Sequence, residues 1–269
     1  MLLRVVLFGG KGGVGKSTLA CATALKLAKE GKTLLISIDP AHSLSGILQT
    51  QIGKHLSQIK ENLFAIELLA EDLVENYANK VLSALGEMLP SLKSGLEEYA
   101  KHLKHSPTAL ETAVLDRLAD YFNEDFLFVV IDSAPTGQML RLFQTLKTVR
   151  GWFSFLEKLA KEREKVETFM GREDRVLKLM KMRREKVERL ANILMEKGII
   201  FAVANEDPLS IDEAVELERQ LLGFKVYRVM NKYKSEGRDF LKVKHLEKPY
   251  GIEKLSLLNI EDLLRVIEV

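Results

Sequence analysis

The sequence predicts an α/β fold, a mostly parallel sheet flanked by helices, and three observations carry the prediction. Short apolar runs end at glycine or aspartate. Segments of helical spacing follow them, so strands and helices alternate. The runs are apolar throughout rather than alternating, as strands covered on both faces require. Leu2–Phe8 is the first such run, and it ends at glycines. Ser17–Glu30 follows with apolar turns at Leu19, Ala22, Leu25 and Leu27, and Gly31 stops it. Thr33–Ile38 is a second buried strand ending at Asp39-Pro40, and Leu63–Leu68 is a candidate third. Residues 70–122 read mostly as helices, broken near Pro90 and Pro107. Phe126–Ile131 is a strand ending at Asp132. Residues 140–197 are helical and heavily charged, up to Gly198. Ile199–Ala204 is a strand, Ser210–Leu222 a helix, Lys225–Met230 a strand and Ile260–Ile267 a short amphipathic helix. Residues 1–269 read as one domain with a helical insertion formed by roughly 70–122 and 140–197.

Composition narrows the function classes. The 269 residues are 46% hydrophobic and 29% charged, which leaves ample material for a core. A formal net charge of +2 argues against a globally basic nucleic-acid binder, and no specific nucleic-acid partner is expected. The single cysteine, Cys21, excludes an intrachain disulfide framework and a multi-cysteine metal site within one chain. The N-terminus runs straight into a strand and does not read as a signal peptide. No apolar run is long enough to cross a bilayer. A cytoplasmic protein that is not integral to a membrane is expected.

After the first strand the chain reads Gly9-Gly10-Lys11-Gly12-Gly13-Val14-Gly15-Lys16-Ser17-Thr18, which fits G-x-x-x-x-G-K-[ST] with Gly10 and Gly15 as its glycines. Glycines let backbone N–H groups turn inward around phosphate oxygens, and the following helix adds its N-terminal dipole. In this P-loop Gly12, Gly13, Val14, Gly15 and Thr18 surround the nucleotide phosphates. Lys16 supplies a cation to the β- and γ-phosphates, and the Ser17 hydroxyl reaches Mg²⁺. The expected ligands are therefore ATP and Mg²⁺.

Lys11 is a second lysine in the loop, giving K-G-G-x-G-K-[ST]. In this the sequence resembles the deviant Walker A ATPases: the MinD and ParA group, the nitrogenase iron protein, and the ArsA arsenite-pump ATPases with their tail-anchored-protein targeting relatives. The resemblance implies a homodimer in which Lys11 reaches the phosphates held by the opposing subunit. Two further strings narrow it. Asp39-Pro40-Ala41-His42-Ser43-Leu44 and Asp132-Ser133-Ala134-Pro135-Thr136-Gly137-Gln138-Met139-Leu140-Arg141-Leu142 resemble the switch I and switch II segments of the ArsA and tail-anchored targeting family. Gln138 stands where that family often has histidine.

Roles follow from chemistry and resemblance together. Asp39 is the candidate that orients or deprotonates the attacking water. Asp132, at the Walker B position, is expected to hold Mg²⁺, partly through water. Pro40, His42, Pro135 and Gly137 are switch residues, with Gly137 allowing switch II to change shape. Asn231 follows the strand Lys225–Met230, and Lys234 stands where GTPases carry a guanine-reading aspartate. An asparagine amide can pair with adenine, and the resemblance places that role on Asn231. It also implies an acidic residue helping to bind nucleotide across the dimer, Asp207 or else Glu206.

The resemblance implies an apolar client, such as a transmembrane segment, on the helical subregion. Residues 140–197 supply Trp152, Phe153, Phe155, Leu156, Leu159, Phe169, Met170, Leu177, Met180, Met182, Leu194 and Met195. Methionine-rich surfaces adapt to varied apolar ligands. The competing reading is a charged helical hairpin packing its apolar stripe inward. A membrane-associated partner fits the excess of Lys and Arg there. The alternative function is the motor ATPase of a metalloid efflux pump, which calls for soft thiolate ligands beyond Cys21. A third is a positioning ATPase of the MinD and ParA kind. His102 and His105 form a weak metal signal.

Overall fold

The computed structural model describes residues 3–39, 41, 43–88, 109–122, 125–133, 135–146, 148, 158, 175–233, 240–244 and 249–268. In chain order the elements are β1 (Arg4–Gly10), α1 (Lys16–Leu27), β2 (Thr33–Ser37), α2 (Leu44–Leu48), β3 (Ser57–Lys60), β4 (Leu63–Glu67), α3 (Ala70–Met88), α4 (Ala109–Tyr121), β5 (Phe128–Asp132), α5 (136–146), α6 (Arg175–Lys197), β6 (Gly198–Ala204), α7 (Pro208–Gln220), β7 (Lys225–Asn231), β8 (Leu241–Val243), α8 (Ile252–Ser256) and α9 (Glu261–Ile267).

The eight strands form one sheet in the order β3-β4-β2-β5-β1-β6-β7-β8. All pairs are parallel except β3 with β4. From β1 the chain first fills one side of the sheet and later the other, so β1 is the topological switch point. Open α/β sheets take their ligands at the carboxyl ends of strands beside such a point. The expected α/β class with a mostly parallel, helix-flanked sheet is therefore what the chain adopts.

The central strands β1, β2, β5 and β6 are buried, as their unbroken apolar runs require. One sheet face contributes Val6, Phe8, Leu35, Val130, Phe201 and Val203 to a core shared with α1, α2 and the two C-terminal helices. Cys21 lies in that core with no exposure, and burial pushes its thiol pKa up. It is a packing residue in a carbon-rich setting.

Several boundaries move relative to the sequence expectation. β1 runs two residues further, into Gly9 and Gly10, because β6 continues to pair with them. β7 likewise takes in Asn231, paired with Val243 of a strand the sequence did not suggest. β3, also unexpected, makes the strand ending at Asp132 the fifth rather than the fourth. α7 starts at Pro208, two residues early, because Asp207 caps it by accepting a hydrogen bond from Ser210 N at 3.1 Å.

The chain divides into two compact units. The first, Met1–Leu69, Asp125–Leu140 and Asn192–Val269, holds the sheet. The second is Ala70–Glu124 with Arg141–Ala191. Within the second, Lys80 pairs with Asp116 and Lys186 with Asp120, each at 2.9 Å. Glu111, nearly fully buried, is paired with Arg141 at 2.9 Å.

Candidate functional site

The loop between β1 and α1 is shaped by two glycines that no other residue could replace. Gly10 has φ of +137°, and a Cβ there would lie 2.2 Å from Val203 O on β6. Gly15 has φ of +99°, and its Cβ would lie 2.3 Å from Asn231 Nδ2. The αL conformation at Gly15 starts α1 at Lys16, so Lys16, Ser17 and Thr18 form its first turn. The N–H groups of such a first turn have no carbonyl within the helix to donate to and suit an anion. Gly12 and Gly13 are exposed at the lip, whereas Val14 is buried.

The two lysines of the loop part company. Lys16 is almost fully buried, and its Nζ donates to Lys11 O at 3.1 Å, back across the loop. Burial lowers its pKa, opposed by Asp132, Asp39 and Glu213. Lys11 points outward, and its Nζ pairs with Asp207 Oδ2 at 3.1 Å, both side chains half-exposed. The Lys11 hydrogen bond holds the Asp207 carboxyl below the usual range.

The carboxyl ends of β1, β5, β2 and β4 lie in register: Phe8 beside Asp132, Asp132 beside Ser37, Ser37 beside Glu67. Asp132 has no exposure, and burial pushes its carboxyl up to about 7 against the pull of the Ser17 hydroxyl, Lys16 and the Ser37 hydroxyl. Ser37 Oγ donates to its Oδ2 at 3.5 Å, while Oδ1 is buried without a partner. An orphaned carboxylate oxygen beside a serine hydroxyl suits a hard cation that prefers oxygen ligands and keeps its waters. The donor set therefore fits Mg²⁺. Among the described residues no group of three or more His, Cys, Asp or Glu could hold a metal ion by itself.

Asp39 follows β2. Its N–H donates to Ser37 Oγ at 3.3 Å, and its Oδ1 accepts from Ala41 N at 2.9 Å, an Asx turn. Its charge raises the pKa of both Lys16 and Asp132. Switch II begins at Pro135, whose carbonyl accepts from Gln138 N and Met139 N. Thr136 Oγ1 donates to Glu213 Oε2 at 3.2 Å. Gly137 is exposed in the first turn of α5. Pro40 and His42 lie outside the described residues.

Asn231, the residue expected at the base, ends β7. The side chain has no exposure, and Nδ2 donates to Val14 O at 2.8 Å. Its amide ties β7 to the underside of the phosphate loop, and Oδ1 is left buried without a partner. Sequence reasoning missed Ser37, Glu67 and Glu213. Each sits at a strand end or on a helix remote in sequence, so no local motif marks it.

In the helical subregion Val187 and Leu190 are buried, and Leu194 beyond it is buried too. Met182 and Met195 are about half exposed. Trp152, Phe153, Phe155, Leu156, Leu159, Phe169 and Met170 lie outside the described residues, as do His102 and His105. Among the described residues no helix is long and apolar enough to cross a membrane.

The chain is similar to known proteins over most of its length. The sequence model of the family described as anion-transporting ATPase matches residues 3–269. An Aquifex aeolicus protein provisionally named arsenical pump-driving ATPase 2 is 33% identical over 281 residues, covering 99% of this chain and 91% of that protein. A Prosthecochloris vibrioformis protein provisionally named arsenical pump-driving ATPase is 32% identical over 285 residues, covering 97% and 68%. ATPase GET3 of Podospora anserina is 35% identical over 147 residues, covering 53% of this chain and 42% of that protein.

Proposed function

The chain belongs to the anion-transporting ATPase family and is an ATPase, and from that premise we propose that it works as a magnesium-dependent homodimeric switch. In this reading ATP closes the dimer, and closure is coupled to handling an apolar client such as a membrane-protein segment in the cytoplasm. One observation carries the dimeric mechanism: Lys16 occupies its own loop while Lys11 leans out of it to Asp207. A cation that leaves its own phosphate site is available to a second one.

Each residue has a distinct task. The backbone N–H groups of Gly12, Gly13, Val14 and Gly15 and the first turn of α1 bind the phosphates. Lys16 exchanges its bond to Lys11 O for phosphate oxygens, so its charge is held where negative charge grows. Ser17 and Asp132 hold Mg²⁺, which when bound neutralises phosphate charge. Asp39 orients the water that attacks the γ-phosphorus and takes up its proton as the bond to the ADP oxygen breaks, giving ADP and phosphate. Lys11 of one subunit reaches the other's phosphates, with Asp207 exchanging its partner for the opposing nucleotide. Asn231 serves the nucleotide through the loop that it ties down, with its unpartnered Oδ1 on the adenine side. Pro40, His42, Pro135 and Gly137 carry the change of γ-phosphate state outward.

Hydrolysis and mass measured together test this. Asp39→Asn is expected to trap an ATP-bound dimer whose turnover falls to a small residual rate, and Lys11→Ala to lose activity while still binding ATP. A monomeric wild type at full turnover, or a fully active Lys11→Ala, sinks the two-subunit mechanism. The relatives' names favour a second reading, the motor of a metalloid efflux pump. Arsenite-stimulated hydrolysis by the purified protein supports it; ATP-dependent retention of an apolar peptide supports the first.

A further inference from the structure

Glu67 ends β4, on the far side of β2 from Asp132. It is 6% exposed. A buried carboxylate at a strand end costs solvation unless donors surround it, and this one is surrounded by a single segment. Its Oε1 accepts from Leu44 N at 2.9 Å and from Ser45 N at 3.4 Å. Its Oε2 accepts from Ser45 Oγ at 3.4 Å. Leu44 and Ser45 open α2, directly after the segment that begins at Asp39.

Helix starts are usually capped by the residue before them. Ser43 occupies that place, yet its side chain makes no cap, and its Oγ is buried without a partner. The cap comes instead from a strand more than twenty residues downstream. A local cap would suffice for helix stability. A cap from the sheet also fixes where the helix start stands relative to the strand ends. Ser37, the register neighbour of Glu67, holds the other end of the segment through Asp39 N. Hydrogen bonds to adjacent strand termini thus hold Asp39 N at Ser37 and Leu44 N at Glu67.

We propose that Glu67 is a positioning residue for hydrolysis: by holding Leu44 and Ser45 it fixes the segment whose first residue, Asp39, orients the attacking water. The inference rests on the reading of Asp39 given above. Among the described residues the hydrogen bonds of the Glu67 side chain go to Leu44 and Ser45 and none to the phosphate loop, so its removal is expected to act on turnover and not on ATP binding. Misplacing an orienting group by about 1 Å costs up to about a hundredfold in rate.

The test is a double-mutant cycle on kcat and KM for ATP with Glu67→Ala, Glu67→Gln and Asp39→Asn. Glu67→Ala is expected to lower kcat about ten- to a hundredfold with KM changed less than about twofold. Glu67→Gln keeps the shape and one acceptor, so its loss is expected to be smaller, and it serves if the alanine variant does not fold. Added to Asp39→Asn, either change is expected to alter the residual rate less than about twofold, because the group it positions is already disabled. A raised KM with unchanged kcat, or a loss that multiplies fully with that of Asp39→Asn, overturns the inference alone. Wild-type turnover by Asp39→Asn overturns the reading beneath it and the inference with it.

Discussion

Ionisation of Asp132 works against folding in the nucleotide-free protein. Burial raises its carboxyl from an ordinary value to about 7. Between those two values the folded state keeps a proton that the unfolded chain releases, so stability falls as pH rises, and the cost is complete above 7. Asp132→Asn is therefore expected to raise the stability of the protein without ATP or Mg²⁺ at pH 8, by order 2 kcal/mol. Thermal unfolding should show the gain shrinking as pH falls from 7 toward 4, while hydrolysis is lost throughout. Gly15 makes the opposite case. Gly15→Ala demands a left-handed alanine whose Cβ displaces the Asn231 amide. It is expected to cost about 1–3 kcal/mol of stability and, in equilibrium titrations, to weaken ATP binding at least about tenfold. Residues in the phosphate loop were legible because the motif states their chemistry outright. Asn231 was legible as a nucleotide candidate, but its bond to Val14 O was not, because that partner lies far away in sequence.

Among elements, legibility followed apolar length and glycine punctuation. β1, α1, β2, β5 and β6 announce themselves by unbroken apolar runs or a glycine stop. β3 reads Ser-Gln-Ile-Lys and alternates between half-buried and exposed at the sheet edge, so its signal is no stronger than a loop's. β8 has three residues and exists because β7 offers it an edge. α2 is five residues long and borrows its cap from Glu67, a pairing no local window contains. The C-terminal helix α9 was read as a short amphipathic helix, and its apolar side joins the core that α1 also lines. Leu263 there has no exposure. Leu263→Ala is expected to cost about 2–5 kcal/mol in denaturant unfolding, with KM for ATP in the surviving folded fraction little changed, since Leu263 packs in the core rather than at the phosphate loop.

For the molecule as a whole, the prediction concerns concentration. If Lys11 acts on a partner's phosphates, specific ATPase activity should climb with protein concentration and level off when the dimer saturates. Mixing Lys11→Ala with Asp39→Asn should restore at most one competent site per mixed dimer, seen as partial recovery of hydrolysis. The helical residues between 70 and 122 and between 140 and 197 remain the proposed seat of a client. Their sequence gives charge and methionine in abundance but no fixed spacing, because a surface that accepts varied apolar ligands has no single pattern to obey.

The position of β1 has a consequence in the time domain. With β5 on one side and β6 on the other, the strand that launches the phosphate loop has both its edges paired. Its amides can exchange with solvent only when the sheet itself opens, whereas those of the exposed Gly12 and Gly13 need no such event. Adjacent residues of one short stretch would then differ by orders of magnitude in hydrogen-exchange lifetime. Nucleotide would lengthen the fast class and leave the slow class nearly untouched, so the loop can close around ATP many times between one opening of the strand that carries it and the next.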